Sequence, residues 1–148
     1  MNKFLLLAAV CLSLAACGGV DPNSPQGKRQ AIFKDMLKVS EDLGGMLRGR
    51  IAFDESRFAE GAVKLDALTR TPWQHFPKVQ EAGGETRAKD DVWQRQERFQ
   101  ELAQEMEAST AELVAVAANK PLREQALVAP MKKVEDSCKA CHEEFRAY

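Results

Sequence analysis

Histidine is nearly missing from this chain, with only His75 and His142 in 148 residues. A metal centre built on several imidazoles is therefore excluded. Cysteine is almost as scarce. Cys11 and Cys17 lie close to the N-terminus, so the body of the chain holds a single pair, Cys138 and Cys141. A surplus of either charge is also missing, because 21 basic and 22 acidic side chains leave a net charge of −1. That balance offers no basic face to nucleic acid. No apolar run reaches the roughly 18 residues of a membrane span. Internal repeats, low-complexity tracts and the alternation of a β-strand are absent as well.

What is present begins with a leader. Met1-Asn2-Lys3 carries a positive side chain, and Phe4 to Leu14 is a short apolar run built like a secretory signal. It ends in Leu14-Ala15-Ala16-Cys17, which resembles a bacterial lipoprotein box whose cysteine takes lipid and becomes the first mature residue. Ordinary cleavage after Ala15-Ala16, leaving Cys17 as a free thiol, is the alternative. On the first reading residues 1–16 are the signal peptide and Cys17 is the lipidation site. Gly18 stands where an aspartate would retain the lipoprotein at the inner membrane, so the outer membrane is expected, on its periplasmic side. Residues 17–27, with Gly, Pro, Asn and Ser, read as a tether. Residues 28–148 are long enough for one domain with a sizeable core.

Spacing in that domain predicts four helices. The first opens at Ser24-Pro25, an N-cap followed by proline. Its apolar positions, including Ile32, Phe33, Met36, Leu37, Leu43 and Leu47, recur mostly at threes and fours. Gly44-Gly45 should weaken its end or admit another helix closely, and Arg48-Gly49-Arg50 is its exit. The second starts at Asp54 and stops before Thr71-Pro72. A long link holding Trp73, His75, Phe76, Pro77 and Gly83-Gly84 follows; its aromatics suggest that it is packed. The third is expected from about Asp90 to Ala118, and the fourth from near Pro121, with Pro130 kinking or opening it. Two short links and one long crossover point to an all-α, antiparallel four-helix bundle, a fold that commonly holds a cofactor in its core.

The chemistry stands near the C-terminus, in Cys138-Lys139-Ala140-Cys141-His142. C-x-x-C-H is the attachment signature of c-type haem. Two thiols add to two vinyl groups, and the adjacent imidazole becomes an axial iron ligand. At three- and four-residue spacings on a helix the three side chains share one face, and Lys139 points away. A thioredoxin-like redox pair expects a βαβ setting that is missing here. A zinc site would need ligands that His75 and the leader cysteines do not supply. One covalently bound haem c is the expected cofactor.

Ser137 to His142 with Phe145-Arg146 at the extreme C-terminus, Arg29-Gln30-Ala31-Ile32-Phe33, and Pro72-Trp73 with Phe76, Gly83-Gly84 and Trp93 carry a resemblance. Together they resemble the class II c-type cytochromes, and within them cytochrome c′, over essentially the whole mature domain. The resemblance implies a haem between the helices, with His142 as its only protein ligand. Arg29, Gln30, Phe33, Trp73, Phe76, Phe145 and Arg146 are the further haem-binding residues it implies. In relatives called cytochrome c556, a methionine at the position matching Phe33 ligates the iron. Phe33 has no lone pair, so the resemblance implies a five-coordinate iron with Phe33 over the distal site. Periodicity alone would make Phe33 ordinary core.

Several residues admit two readings. Met36 lies almost one turn past Phe33 and is either a thioether ligand or a core filler. Arg29 either pairs with a haem propionate, the family role, or is a solvated first-turn arginine. Arg146 either disfavours protonation of His142 or frays at the chain end. His75 reads as a surface or packing residue.

An apolar distal site admits nitric oxide and carbon monoxide, while dioxygen wants polar donors. The expected function is nitric oxide binding, plausibly for protection against nitrosative stress. An electron carrier of the c556 type is the alternative, docking through Lys132, Lys133 and Lys139 if these are more than a solvated face. No distal histidine–arginine pair is available to cleave peroxide, so the chain reads as a binding protein and not an enzyme. Cytochromes c′ are often homodimers through their first helices. The mixed face of Lys28, Lys34, Asp35, Lys38 and Glu41 neither demands nor excludes that.

Overall fold

The computed structural model describes residues 20–78 and 86–148. The leader, Cys17 and Gly83-Gly84 lie outside the described residues. Among the described residues five α-helices form, α1 (Pro25–Leu47), α2 (Glu55–Thr69), the one-turn α3 (Asp91–Gln94), α4 (Gln96–Ala117) and α5 (Glu124–Phe145), with a single 3-10 turn at Trp73–His75 between α2 and α3. Among the described residues there is no strand, only one isolated antiparallel bridge between Ala88 and Arg146.

The start of α1 follows from its first residues. Ser24 is extended, its hydroxyl accepts the Gly27 N–H at 3.0 Å, and Pro25 occupies the first turn. Gly27 is needed there, since a Cβ would stand 2.1 Å from the Asp21 carbonyl oxygen. Pro25 to Gly27 are therefore helical and belong to the bundle. At the far end Gly49 takes φ +70°, which lets the chain turn back. The Gly44-Gly45 pair does not end the helix early. It receives the returning chain: Arg48 N–H bonds to the Gly44 carbonyl, and Arg50 and Ile51 N–H to that of Gly45. A Cβ on Gly45 would meet Ile51 Cδ1 at 2.9 Å, so the close neighbour is the helix's own exit and not another helix.

Asp54 caps α2 by accepting from the Arg57 N–H at 2.8 Å. The expected single third helix is broken at Arg95, whose φ of −122° and ψ of 48° interrupt the spiral. The interruption lets the short α3 follow the crossover, with the Trp93 indole donating to the Pro77 carbonyl at 2.9 Å. Arg95 itself is drawn to α5, where its guanidinium pairs with Glu144 and lies 5.5 Å from the Phe145 ring centre. The last helix starts at Glu124, three residues beyond Pro121, and runs through Pro130.

Cross-helix pairs fix the directions. Asp66 meets Thr110 while Arg70 meets Glu107, so α2 and α4 are antiparallel. Ser109 meets Ser137 and Arg98 meets Glu144, so α4 and α5 are too. The short link after α1 completes an up-down-up-down bundle. Its core includes Leu43, Met46, Phe58, Leu113, Leu127 and Val134, each at most 1% exposed. Leu37, read as part of the apolar stripe of α1, faces water at 58% exposure.

Candidate haem site

The helical spacing of Cys138, Cys141 and His142 is realised near the C-terminus of α5. Cys138 is half-buried against the main core. Cys141 is buried in a second apolar cluster with Val92, Phe99, Leu102 and Phe145. Both thiols are free. Burial, reinforced by the Glu135 carboxylate, pushes the Cys138 thiol up to about 11. Burial, then Cys138 and then Glu144, pushes Cys141 up to about 11 as well.

His142 is exposed and makes no hydrogen bond or ion pair through its imidazole among the described residues. Its pKa is lowered, first by the part of it that is withdrawn from water and then by the Arg146 charge. Arg146 is held where the chain leaves the helix. Its N–H bonds to the His142 carbonyl, and residues 87–89 clamp the segment through Lys89 N–H to Phe145 O and Ala147 N–H to Arg87 O.

The wall of the site comes from three other parts of the chain. Phe33 on α1 is half-buried and packs edge-to-face with Trp73, at 6.0 Å between ring centres, and with Phe76 at 6.4 Å. Phe99 on α4 then joins Trp73 at 5.7 Å, Phe76 at 4.9 Å and Phe145 at 5.2 Å. These five rings form one continuous set from α1 to the attachment helix. Arg29 is 4% exposed, which removes the solvated reading. It donates to the His75 carbonyl at 3.0 Å and stands 4.8 Å from the Phe76 ring centre. Met36 is buried in the main core. Gln30 is exposed.

Phe99, expected only as core, is the hub of that set. Its helical register gave the burial, but nothing local in the sequence tied it to Phe76 or Phe145. The three lysines near the motif do not form a free basic patch. Lys132 pairs with Asp136, Lys133 with Glu112 and Lys139 with Glu143.

These residues fit a flat apolar group held by two thioethers. Buried thiols that stay protonated suit neither a thiolate zinc site nor a reactive redox pair. No group of three or more His, Cys, Asp and Glu that could hold a metal ion occurs among the described residues. The imidazole, by contrast, is kept neutral and so has a nitrogen to offer iron.

Comparison with known proteins agrees. The family described as Cytochrome C' matches residues 24–146. The chain belongs to the cytochrome c′ family. It is 30% identical over 128 residues to the cytochrome c′ of Rhodopseudomonas palustris, covering 81% of this chain and 80% of that one. It is 33% identical over 134 residues to the cytochrome c′ of Halomonas halodenitrificans, covering 86% and 98%. Among solved structures it is similar to the nitric oxide complex of a variant cytochrome c prime from Alcaligenes xylosoxidans. That match has a TM-score of 0.76 at 23% identity and covers 88% of this chain and all of that one. Cytochrome c′ is itself a standard example of the up-down-up-down bundle, and its members carry covalently attached haem c. In this chain Cys138 and Cys141 would hold the haem and His142 would supply the axial nitrogen.

Proposed function

We propose that this cytochrome c′ binds small neutral gases, chiefly nitric oxide and also carbon monoxide, and serves in protection against nitrosative stress. The observation that carries the reading is Phe33, which turns an apolar ring without any lone pair toward Trp73 and Phe76. When bound, haem supplies an iron that takes a diatomic wherever no protein side chain ligates it. Phe33 would cover that side and keep water and anions out. The nearby polar donors are engaged, Trp73 with Glu107 and Arg29 with the His75 carbonyl, which leaves little to favour dioxygen. Met36 acts as a core filler, in keeping with its burial. The nitric oxide complex of the Alcaligenes xylosoxidans relative supports the choice of ligand. The paired lysines beside the motif weigh against a docking surface for electron transfer.

The proposal includes the compartment. The leader, the Ala15-Ala16-Cys17 ending and Gly18 support a lipid anchor at Cys17 on the periplasmic side of the outer membrane. Among the described residues no helix is long and apolar enough to cross a membrane.

The test is Phe33→Ala in the haem-loaded protein. Carbon monoxide association with the ferrous form, followed after flash photolysis, should accelerate by about tenfold or more. An unchanged rate would remove Phe33 from the ligand's path.

A further inference from the structure

We propose that Glu107, on α4 and outside the attachment helix, is a positioning residue that sets how readily Phe33 yields to an incoming ligand. The inference rests on the reading of Phe33 given above. Glu107 Oε1 accepts the Trp73 indole N–H at 2.9 Å. An indole has a single donor, so this bond fixes how the ring is turned. A carboxylate acceptor makes it stronger than a neutral pair would.

Glu107 is itself anchored. Its Oε2 faces Arg70 Nη1 at 3.5 Å, and Arg70 grips Asp66 through Nε to Oδ2 at 3.2 Å and Nη2 to Oδ1 at 2.8 Å. Asp66 Oδ1 also accepts the Thr110 hydroxyl at 2.9 Å, and that hydroxyl lies 3.1 Å from the Thr69 hydroxyl. The two threonines are 0% and 1% exposed. A tie between α2 and α4, buried at its two threonines and half-exposed at Arg70, therefore ends on the indole of the crossover.

Trp73 in turn backs Phe33 at 6.0 Å and is flanked by Phe99 at 5.7 Å. For Phe33 to swing aside, Trp73 must give way or be slid past. Phe76, the other ring against Phe33, is braced by the Arg29 guanidinium and by Phe99. The hold on Trp73 runs through its hydrogen bond to Glu107. That bond makes Glu107 the control point.

The experiment compares Glu107→Ala, Glu107→Gln and Trp73→Phe in the haem-loaded protein. Carbon monoxide association with the ferrous form is read after flash photolysis. Glu107→Ala and Trp73→Phe should each raise the rate by about fivefold, what the loss of one net hydrogen bond is worth. Glu107→Gln, which keeps an acceptor oxygen, should stay within about twofold of the parent. Exchange of the Trp73 indole N–H, followed by NMR in the diamagnetic carbon monoxide complex, should quicken in Glu107→Ala and stay slow in Glu107→Gln.

In a Phe33→Ala background, adding Glu107→Ala should change the rate no further, because the two act through one ring. Faster indole exchange with an unchanged association rate would reduce Glu107 to a structural tie and overturn the inference while leaving the reading of Phe33 intact. Additive rates in the double variant would overturn it too. If Phe33→Ala alone has no effect, both the inference and the reading beneath it fail.

Discussion

At His142 two effects act in the same direction. Partial withdrawal from water and the Arg146 charge both lower the imidazole's proton affinity in the folded chain. The unfolded chain, with an ordinary histidine, binds more protons in the window between the two pKa values. In the haem-free chain this contribution to stability is therefore complete above the ordinary value of about 6.5 and is lost as pH falls through it toward the folded value. Arg146→Gln removes the second cause and raises the folded pKa. The pH at which acid displaces His142 from iron should then rise, as measured by absorbance titration of the ferric protein; an unmoved midpoint would show that Arg146 does not act on the imidazole. The spacing of four between His142 and Arg146 made this neighbour legible, because it lies within the reach of one helical turn. Arg29 was not legible in the same way. Whether it was solvated or buried depended on His75 and Phe76, 46 and 47 positions along the chain.

Between elements, a polar tie with a buried hydroxyl pair joins α2 to α4. From a fully buried position the single Thr110 hydroxyl proton is shared between Asp66 Oδ1 and the Glu107 carbonyl. Thr110→Val keeps the volume but leaves the hydroxyl's partners without it. It should destabilise the protein by about 1–3 kcal/mol, as seen in the denaturant midpoint; a change near zero would mean that water replaces the hydroxyl freely. The helices themselves were readable from period and caps, as Ser24-Pro25 and Asp54 show. The break at Arg95 was not. Trp93-Gln94-Arg95-Gln96 holds neither glycine nor proline, and the chain departs from the helix there to satisfy Pro77 and Glu144, partners far away in sequence. Leu37 failed for the opposite reason. Its hydrophobicity fits the stripe, but its angle on α1 places it on the solvent side.

For the whole molecule, the bundle gathers a site from four separate stretches: Arg29 and Phe33, Trp73 and Phe76, Phe99, and the C-terminal motif. The motif's placement on one helix was legible because Cys138, Cys141 and His142 sit within five consecutive positions. The ring set was legible only in part, since the long crossover had to fold back onto α1 and α4 before Phe99 could become its centre. On the proposed reading the same assembly would let a single phenylalanine govern access, since Phe33 is the α1 end of a continuous set of rings that runs to Phe145 beside Cys141. The central claim is an iron with one protein ligand and a side open to gas. The most direct measurement is the visible spectrum of the purified ferrous protein before and after adding carbon monoxide or nitric oxide. A high-spin spectrum that changes with either gas is the predicted result. A low-spin spectrum with sharp α and β bands, indifferent to carbon monoxide, would contradict the account and point to a second protein ligand such as Met36.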